Sequence, residues 1–140
     1  MTKKIEKVHW PDRPDYWMPY APTAKVTGGS LVFTAVTAAP EYHHHPHRPE
    51  EFDSMPLDME GQARAAMENL RKCLDSVNAT FADVVFCGRY LTDLSQQDVL
   101  NKVWAEYFGD DTPNTTTFQV VQLATDPRCL VEILAIAAVD

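Results

Sequence analysis

Glu132 is the residue of this chain best placed to move a proton. It sits in the run Leu130–Val131–Glu132–Ile133–Leu134–Ala135–Ile136–Ala137, and strand alternation puts it in a row with Leu130, Leu134 and Ile136. A carboxylate among apolar neighbours is desolvated, which raises its pKa toward the range useful for general acid–base work at neutral pH. The other reading of the same spacing is a strand-end glutamate that pairs with a cation across a subunit boundary. Arg89 is the second unusual charge. It falls mid-strand with Val85, Cys87 and Leu91 on its face, so it needs a partner: an inter-subunit carboxylate or a bound anion. His43, His44, His45 and His47, followed by Glu50, Glu51 and Asp53, supply ligand types for zinc or copper. Three consecutive histidines cannot all face one ion in regular structure, and the spacing matches no closed zinc site. The cluster is read as a solvated polar loop, with no metal and no cofactor expected. Cys73 and Cys87 read as core residues, and Cys129 matches no nucleophile arrangement.

The elements that must position these groups are legible from periodicity. Leu57 to Val77 carries Met59, Ala63, Ala66, Met67, Leu70, Leu74 and Val77 on one helical stripe, with Glu60/Arg64 and Glu68/Lys72 as i,i+4 pairs and Asp58 as N-cap. Ser95 with Asp98 resembles a capping box opening a second helix, whose stripe is Val99, Leu100, Val103, Trp104 and Tyr107, with Gly109 as its stop. Lys25 to Thr37 reads as strand, Gly28–Gly29 turn, strand; Val84–Leu91, Thr115–Leu123 and Cys129–Val139 read as further strands. Residues 1–22 form an N-terminal arm, dense from Val8 in prolines (Pro11, Pro14, Pro19, Pro22) and aromatics, and expected to be extended and packed onto something. Residues 40–56, with four prolines and four histidines, form a long loop insertion.

The order β-β-α-β-α-β-β gives an α+β layer with both helices on one face of the sheet. The last strand is apolar on both sides, so its second face must also be covered. Without further helices that cover is another subunit.

Composition narrows the function. The 140 residues fit one domain, and 12 Lys+Arg against 20 Asp+Glu leave a formal charge of −8, with no basic footprint for nucleic acid. The longest apolar run is too short to span a bilayer, and the N-terminal residues have no apolar core resembling a secretion signal. Three widely spaced cysteines argue against a disulfide framework. The expectation is a cytoplasmic protein acting on a small molecule, without nucleic-acid or membrane partners.

Arg89–Tyr90–Leu91–Thr92–Asp93–Leu94, Asn101 to Phe108, Thr112–Pro113–Asn114–Thr115–Thr116–Thr117–Phe118–Gln119–Val120 and the Val131–Glu132–Ile133 strand together resemble the RidA/YjgF family of enamine/imine deaminases. That resemblance runs from about Pro19 to Val139 and implies a RidA/chorismate-mutase-like fold assembled as a barrel-like homotrimer. It implies further that Glu132 positions the water attacking an imine carbon. Tyr20, Asn101, Thr34 and Ala35 would line the pocket, although lone packing or solvation serves equally for Tyr20 and Asn101. The family's carboxylate-clamping arginine corresponds to Thr115, followed by Thr116 and Thr117. A hydroxyl cannot replace a bidentate guanidinium, so the resemblance implies a hydrolase of small enamines or imines other than 2-aminoacrylate, such as an aminomuconate-like compound, with Arg89 as a cation in reserve. A non-catalytic metabolite-binding trimer is the alternative.

Overall fold

The computed structural model describes residues 2–12 and 16–140; Pro14 of the N-terminal arm lies outside the described residues. Six strands and two helices follow in the order β1 (Lys4–Val8), β2 (Thr23–Thr27), β3 (Ser30–Thr37), α1 (Met59–Asp75), β4 (Val84–Leu91), α2 (Gln97–Phe108), β5 (Asn114–Gln119) and β6 (Val131–Val139). The expected order recurs, with β1 added ahead of it. Lys4–Ile5–Glu6–Lys7–Val8 is too polar to announce a core strand, and it pairs antiparallel with β2 in a separate two-stranded ribbon. The main sheet runs β3-β6-β4-β5, antiparallel except for the parallel pair β4–β5. Gly28 and Gly29 therefore do not close a hairpin, since β2 and β3 belong to different sheets. Both adopt positive φ, 71° and 76°, and a Cβ on Gly29 would lie 2.4 Å from the carbonyl oxygen of Val139, so the bend needs glycine twice over.

Helix α1 begins where Asp58 accepts the backbone N–H of Gly61 at 3.1 Å, and it ends where Asn78 turns to φ 57° and Ala79 N–H reaches back to Leu74 O. Met59, Ala63, Ala66, Met67, Leu70 and Leu74 are buried as their spacing demands, while Val77, past the helix end, is exposed. The Glu60–Arg64 pair forms, at 3.8 Å, while Glu68 bonds Arg71 and the Tyr107 hydroxyl and is near Lys72 without a close ion pair to it. For α2 the expected Ser95/Asp98 box is replaced. Asp93 takes the Ser95 N–H at 2.9 Å, and the chain enters α2 through a 3-10 turn over Leu94–Gln96, leaving Ser95 inside the turn rather than ahead of the helix.

Register assigns the sheet's two faces. Val131, Ile133, Ala135 and Ala137 of β6 lie with Val36, Cys87 and Leu91 beneath α1 and α2, around fully buried Trp104, Leu70 and Leu100. The opposite face carries Leu31 and Phe33 (55% and 67% exposed), Leu134, Ile136, Tyr90 and Phe118, the last two stacked at 6.2 Å. Among the described residues nothing covers this apolar face.

Gln62 ties the layers together. It is fully buried, donating to Pro56 O (2.9 Å) and Arg128 O (2.7 Å) while accepting Leu130 N–H at 2.7 Å. Gln62→Leu keeps the volume and orphans three backbone groups. With about 1–3 kcal/mol for each buried unpaired group, a loss of about 3 kcal/mol or more is expected, read as a lower urea midpoint at unchanged slope.

Candidate functional site

Two groups of polar side chains lie on opposite faces of the main sheet. The first surrounds Glu132. Its register partners are Thr37 on β3 and Tyr90 on β4, so it projects on the open face as the period-2 row requires. There it lines a cleft of about 550 Å³, with Ala35 and Thr37 from β3, Tyr42 and Glu41 from the loop, and Asn69, Lys72 and Cys73 from α1. Asn69 shapes the wall by donating to Thr37 O and Ala39 O, both at 2.9 Å, which fixes the chain as it leaves β3. Thr34 does not join this group. It alternates with Ala35 and lies on the helix side with Val32 and Val36, so only Ala35 of that expected pair reaches the cleft.

The second group surrounds Arg89. The side chain is 1% exposed, and among the described residues no carboxylate lies within ion-pair distance. Nε donates to Thr117 Oγ1 at 3.0 Å, Nη1 donates to Asn101 Oδ1 at 2.8 Å, and the guanidinium lies 4.9 Å from the Trp104 ring centre. Burial pulls its pKa down to about 10. Arg89 thus projects on the helix side of the sheet, not from the open face. Thr115 is turned to local structure, its hydroxyl donating to Pro113 O at 2.9 Å. Thr116 alternates to the open face, opposite Gly88. The arm packs here as its aromatics implied. Trp104 Nε1 donates to Pro19 O at 3.1 Å, Trp17 Nε1 donates to Gly109 O at 2.8 Å, and Asn114 Nδ2 donates to Ala21 O and Pro22 O. Tyr20 thus borders this second group, half-buried and edge-on to Trp10 at 6.3 Å.

The histidine loop is anchored rather than loose. His47 meets Asp126 at 3.3 Å and packs edge-on against Phe52, and His44 meets Glu51 at 3.1 Å. Arg128 gathers the loop by bonding Asp126 (2.9 Å), Asp53 (3.0 Å) and Pro49 O (2.8 Å). Among the described residues no three metal-capable side chains converge. Arg128, with the backbone N–H of residue 128 and His47, lowers the Asp126 carboxyl to about 2. A depressed carboxyl contributes stability above its unfolded value, near 4, and loses it as pH falls through the folded one. The loop is therefore expected to loosen between about pH 4 and pH 2, read as faster amide exchange over residues 42–53, and Asp126→Asn, which carries no charge at any pH, should show the faster exchange already at neutral pH.

Lys72, Tyr42 and Asn69 were not singled out by the sequence reading. The signal available was the polar triplet Asn69, Lys72 and Cys73 at helical i, i+3, i+4 spacing, on the edge of the α1 stripe.

A two-helix layer on a mixed sheet, with an uncovered apolar face and a carboxylate-lined cleft at its rim, defines the structural class. Comparison with known proteins gives the family. The pattern of the family described as endoribonuclease L-PSP matches residues 13–139, and the chain belongs to that family, which is the RidA/YjgF family. A RutC family protein of Pyrococcus abyssi is 32% identical over 119 residues, 85% of each chain. The crystal structure of Rv2704 from Mycobacterium tuberculosis, a member of the YjgF/YER057c/UK114 family, is 31% identical with a TM-score of 0.63, covering 81% of this chain and 83% of its own. YyfB of Yersinia pestis, of the conserved Rid protein family, superposes with a TM-score of 0.77 over 99% of this chain and all of its own; at 20% identity that likeness shows the fold alone. Among the described residues no helix is long and apolar enough to cross a membrane.

Proposed function

We propose that this chain is a single-domain, cytoplasmic hydrolase of C=N bonds, acting as a homotrimer on a small imine or enamine. The observation that carries this reading is Glu132, held at the rim of an open cleft with polar groups converging from β3, the loop and α1. An enamine tautomerises to its imine, and water adds to the imine carbon. Glu132 accepts the water proton as the C–O bond forms and returns it to nitrogen; the hydroxyl proton of that adduct then passes to nitrogen through the same carboxylate as the C–N bond breaks, giving a carbonyl compound and ammonia. The two polar groups lie on opposite sides of one sheet, so a substrate touching both must lie between subunits. The exposed Leu31, Phe33 and Phe118 supply an association face. In that arrangement one protomer provides Glu132 and Ala35 while its partner provides Tyr20, Arg89, Asn101 and the threonine run.

Thr115 directs the choice of substrate away from 2-aminoacrylate toward a larger compound of the aminomuconate kind, which a cleft of about 550 Å³ can accommodate. The same residue favours the second reading, a trimer that binds a metabolite without transforming it. Ammonia release from a panel of freshly generated imines and enamines separates the two. Turnover of at least one supports the hydrolase. Saturable binding with every compound recovered unchanged supports the binding protein.

A further inference from the structure

Tyr42 belongs to a loop, yet its ring is held in place. The ring centre lies 5.2 Å from that of Phe52 and 6.2 Å from that of His47. Phe52 is fully buried, and His47 packs edge-on against it at 4.5 Å while meeting Asp126. Arg128 fastens the same segment through Asp126, Asp53 and Pro49 O. The three rings therefore form one unit clamped to the body of the protein. What that unit presents to solvent is the remaining surface of Tyr42, 42% exposed, on the wall of the cleft that also holds Glu132.

Among the described residues Tyr42 is the only aromatic ring lining this cleft; the other lining side chains are aliphatic, small or polar. A ring left half in water keeps apolar surface hydrated, and a flat partner laid against it removes that surface from water. Ordering the ring for that contact costs little, because Phe52 and His47 already fix it. A saturated partner gains from burial alone, whereas a π-conjugated one adds the ring–ring attraction.

We propose that Tyr42 is the specificity-determining residue of the cleft and stacks against a planar, π-conjugated ligand. With the hydrolase reading above, on which the reacting group of the ligand rests, that ligand is an aromatic or extended conjugated imine with its C=N carbon toward Glu132. Its flat body is recognised by the ring, and no charge is required of it.

The test is a nuclear magnetic resonance titration of the intact protein with benzamide and with cyclohexanecarboxamide. The two share one polar group and differ in a flat or a puckered ring, and neither is an imine, so binding is read without turnover. Benzamide is expected to bind about threefold to tenfold more tightly, with the largest shifts at the backbone amides of Tyr42 and Thr125. Tyr42→Leu should erase the preference at unchanged far-UV circular dichroism. Tyr42→Phe should keep it, because the ring and not the hydroxyl makes the contact. Equal or reversed affinities in the parent protein overturn the proposal. So does a preference that survives Tyr42→Leu, one that is lost in Tyr42→Phe, or shifts centred away from the cleft. Ammonia release from the imine panel reads the underlying function separately. A benzamide preference that depends on the Tyr42 ring, with no ammonia from any imine, keeps the stacking site and removes the hydrolase. Ammonia release with equal binding of the two amides keeps the hydrolase and takes Tyr42 out of substrate selection.

Discussion

Glu132→Gln is expected to lower ammonia release by about two to four orders of magnitude, the usual contribution of a positioned general base. The substitution keeps the shape and hydrogen-bonding length of the side chain but cannot accept the proton of attacking water. The loss should therefore appear in kcat and kcat/KM together, with KM little changed. Because Glu132 sits between Thr37 and Tyr90 at the rim of the open face, outside the helix-side core, the unfolding midpoint should stay near that of the parent. Steady-state ammonia assay on a substrate found by the panel, with a thermal melt beside it, reads both. Undiminished turnover takes Glu132 out of the reaction. A large fall in the melting temperature would instead make Glu132 a structural residue.

Phe33→Lys should have a second large effect, on assembly. Phe33 is 67% exposed in the chain and lies beside Ile136 in the register, in the middle of the uncovered face. In a trimer closed by that face, each new lysine would be buried without a partner, at a cost of about 3–5 kcal/mol, which weakens association by more than a hundredfold per contact. Sedimentation at micromolar concentration should show monomers. Far-UV circular dichroism should be unchanged, since the core lies on the other side of the sheet. Turnover should vanish with the trimer, because Glu132 and Arg89 of one chain face opposite ways and need two protomers to meet. An active monomer would place the whole reaction within a single chain. A Phe33→Lys protein that remains trimeric would move the interface elsewhere.

Much of this architecture could be read from the residue order. The stripes of α1 and α2 span enough turns for a 3.6-residue period to identify the buried faces, and the double-sided apolar pattern of β6 announces the uncovered one. Strand pairing is another matter. Nothing in Lys4–Val8 or Thr23–Thr27 says that they pair with each other rather than with the main sheet, because register is set by contacts distant in sequence. The same limit governs the site. Alternation alone separates Thr34 from Ala35 and puts Arg89 on the Cys87 face, but its meeting with Thr117 and Asn101 depends on how β5 and α2 pack against β4. Ser95 shows a more local failure: Asp93 accepts the Ser95 N–H two residues on, and the chain enters α2 through a 3-10 turn. Lys72 was hidden for a related reason. Its spacing from Glu68 fits a surface pair, yet Glu68 has two other partners, the Tyr107 hydroxyl and Arg71.

Arg128 makes the wall of the cleft a module with its own foundations. The loop carrying Tyr42 is fastened by side-chain bonds to Asp53, Asp126 and a carbonyl at Pro49, and it rests near a small apolar cluster of Ala38, Met55, Leu123 and Cys129 that is separate from the helix-covered core. No strand of the main sheet runs through the loop, which meets α1 through Gln62 and Asn69. Changes of length or composition in the loop that carries Glu41 and Tyr42 thus alter the shape of the cleft with little effect on the sheet. In a laboratory library this segment is where new selectivity would be sought, with Arg128 and Asp126 left untouched as its hinge pins.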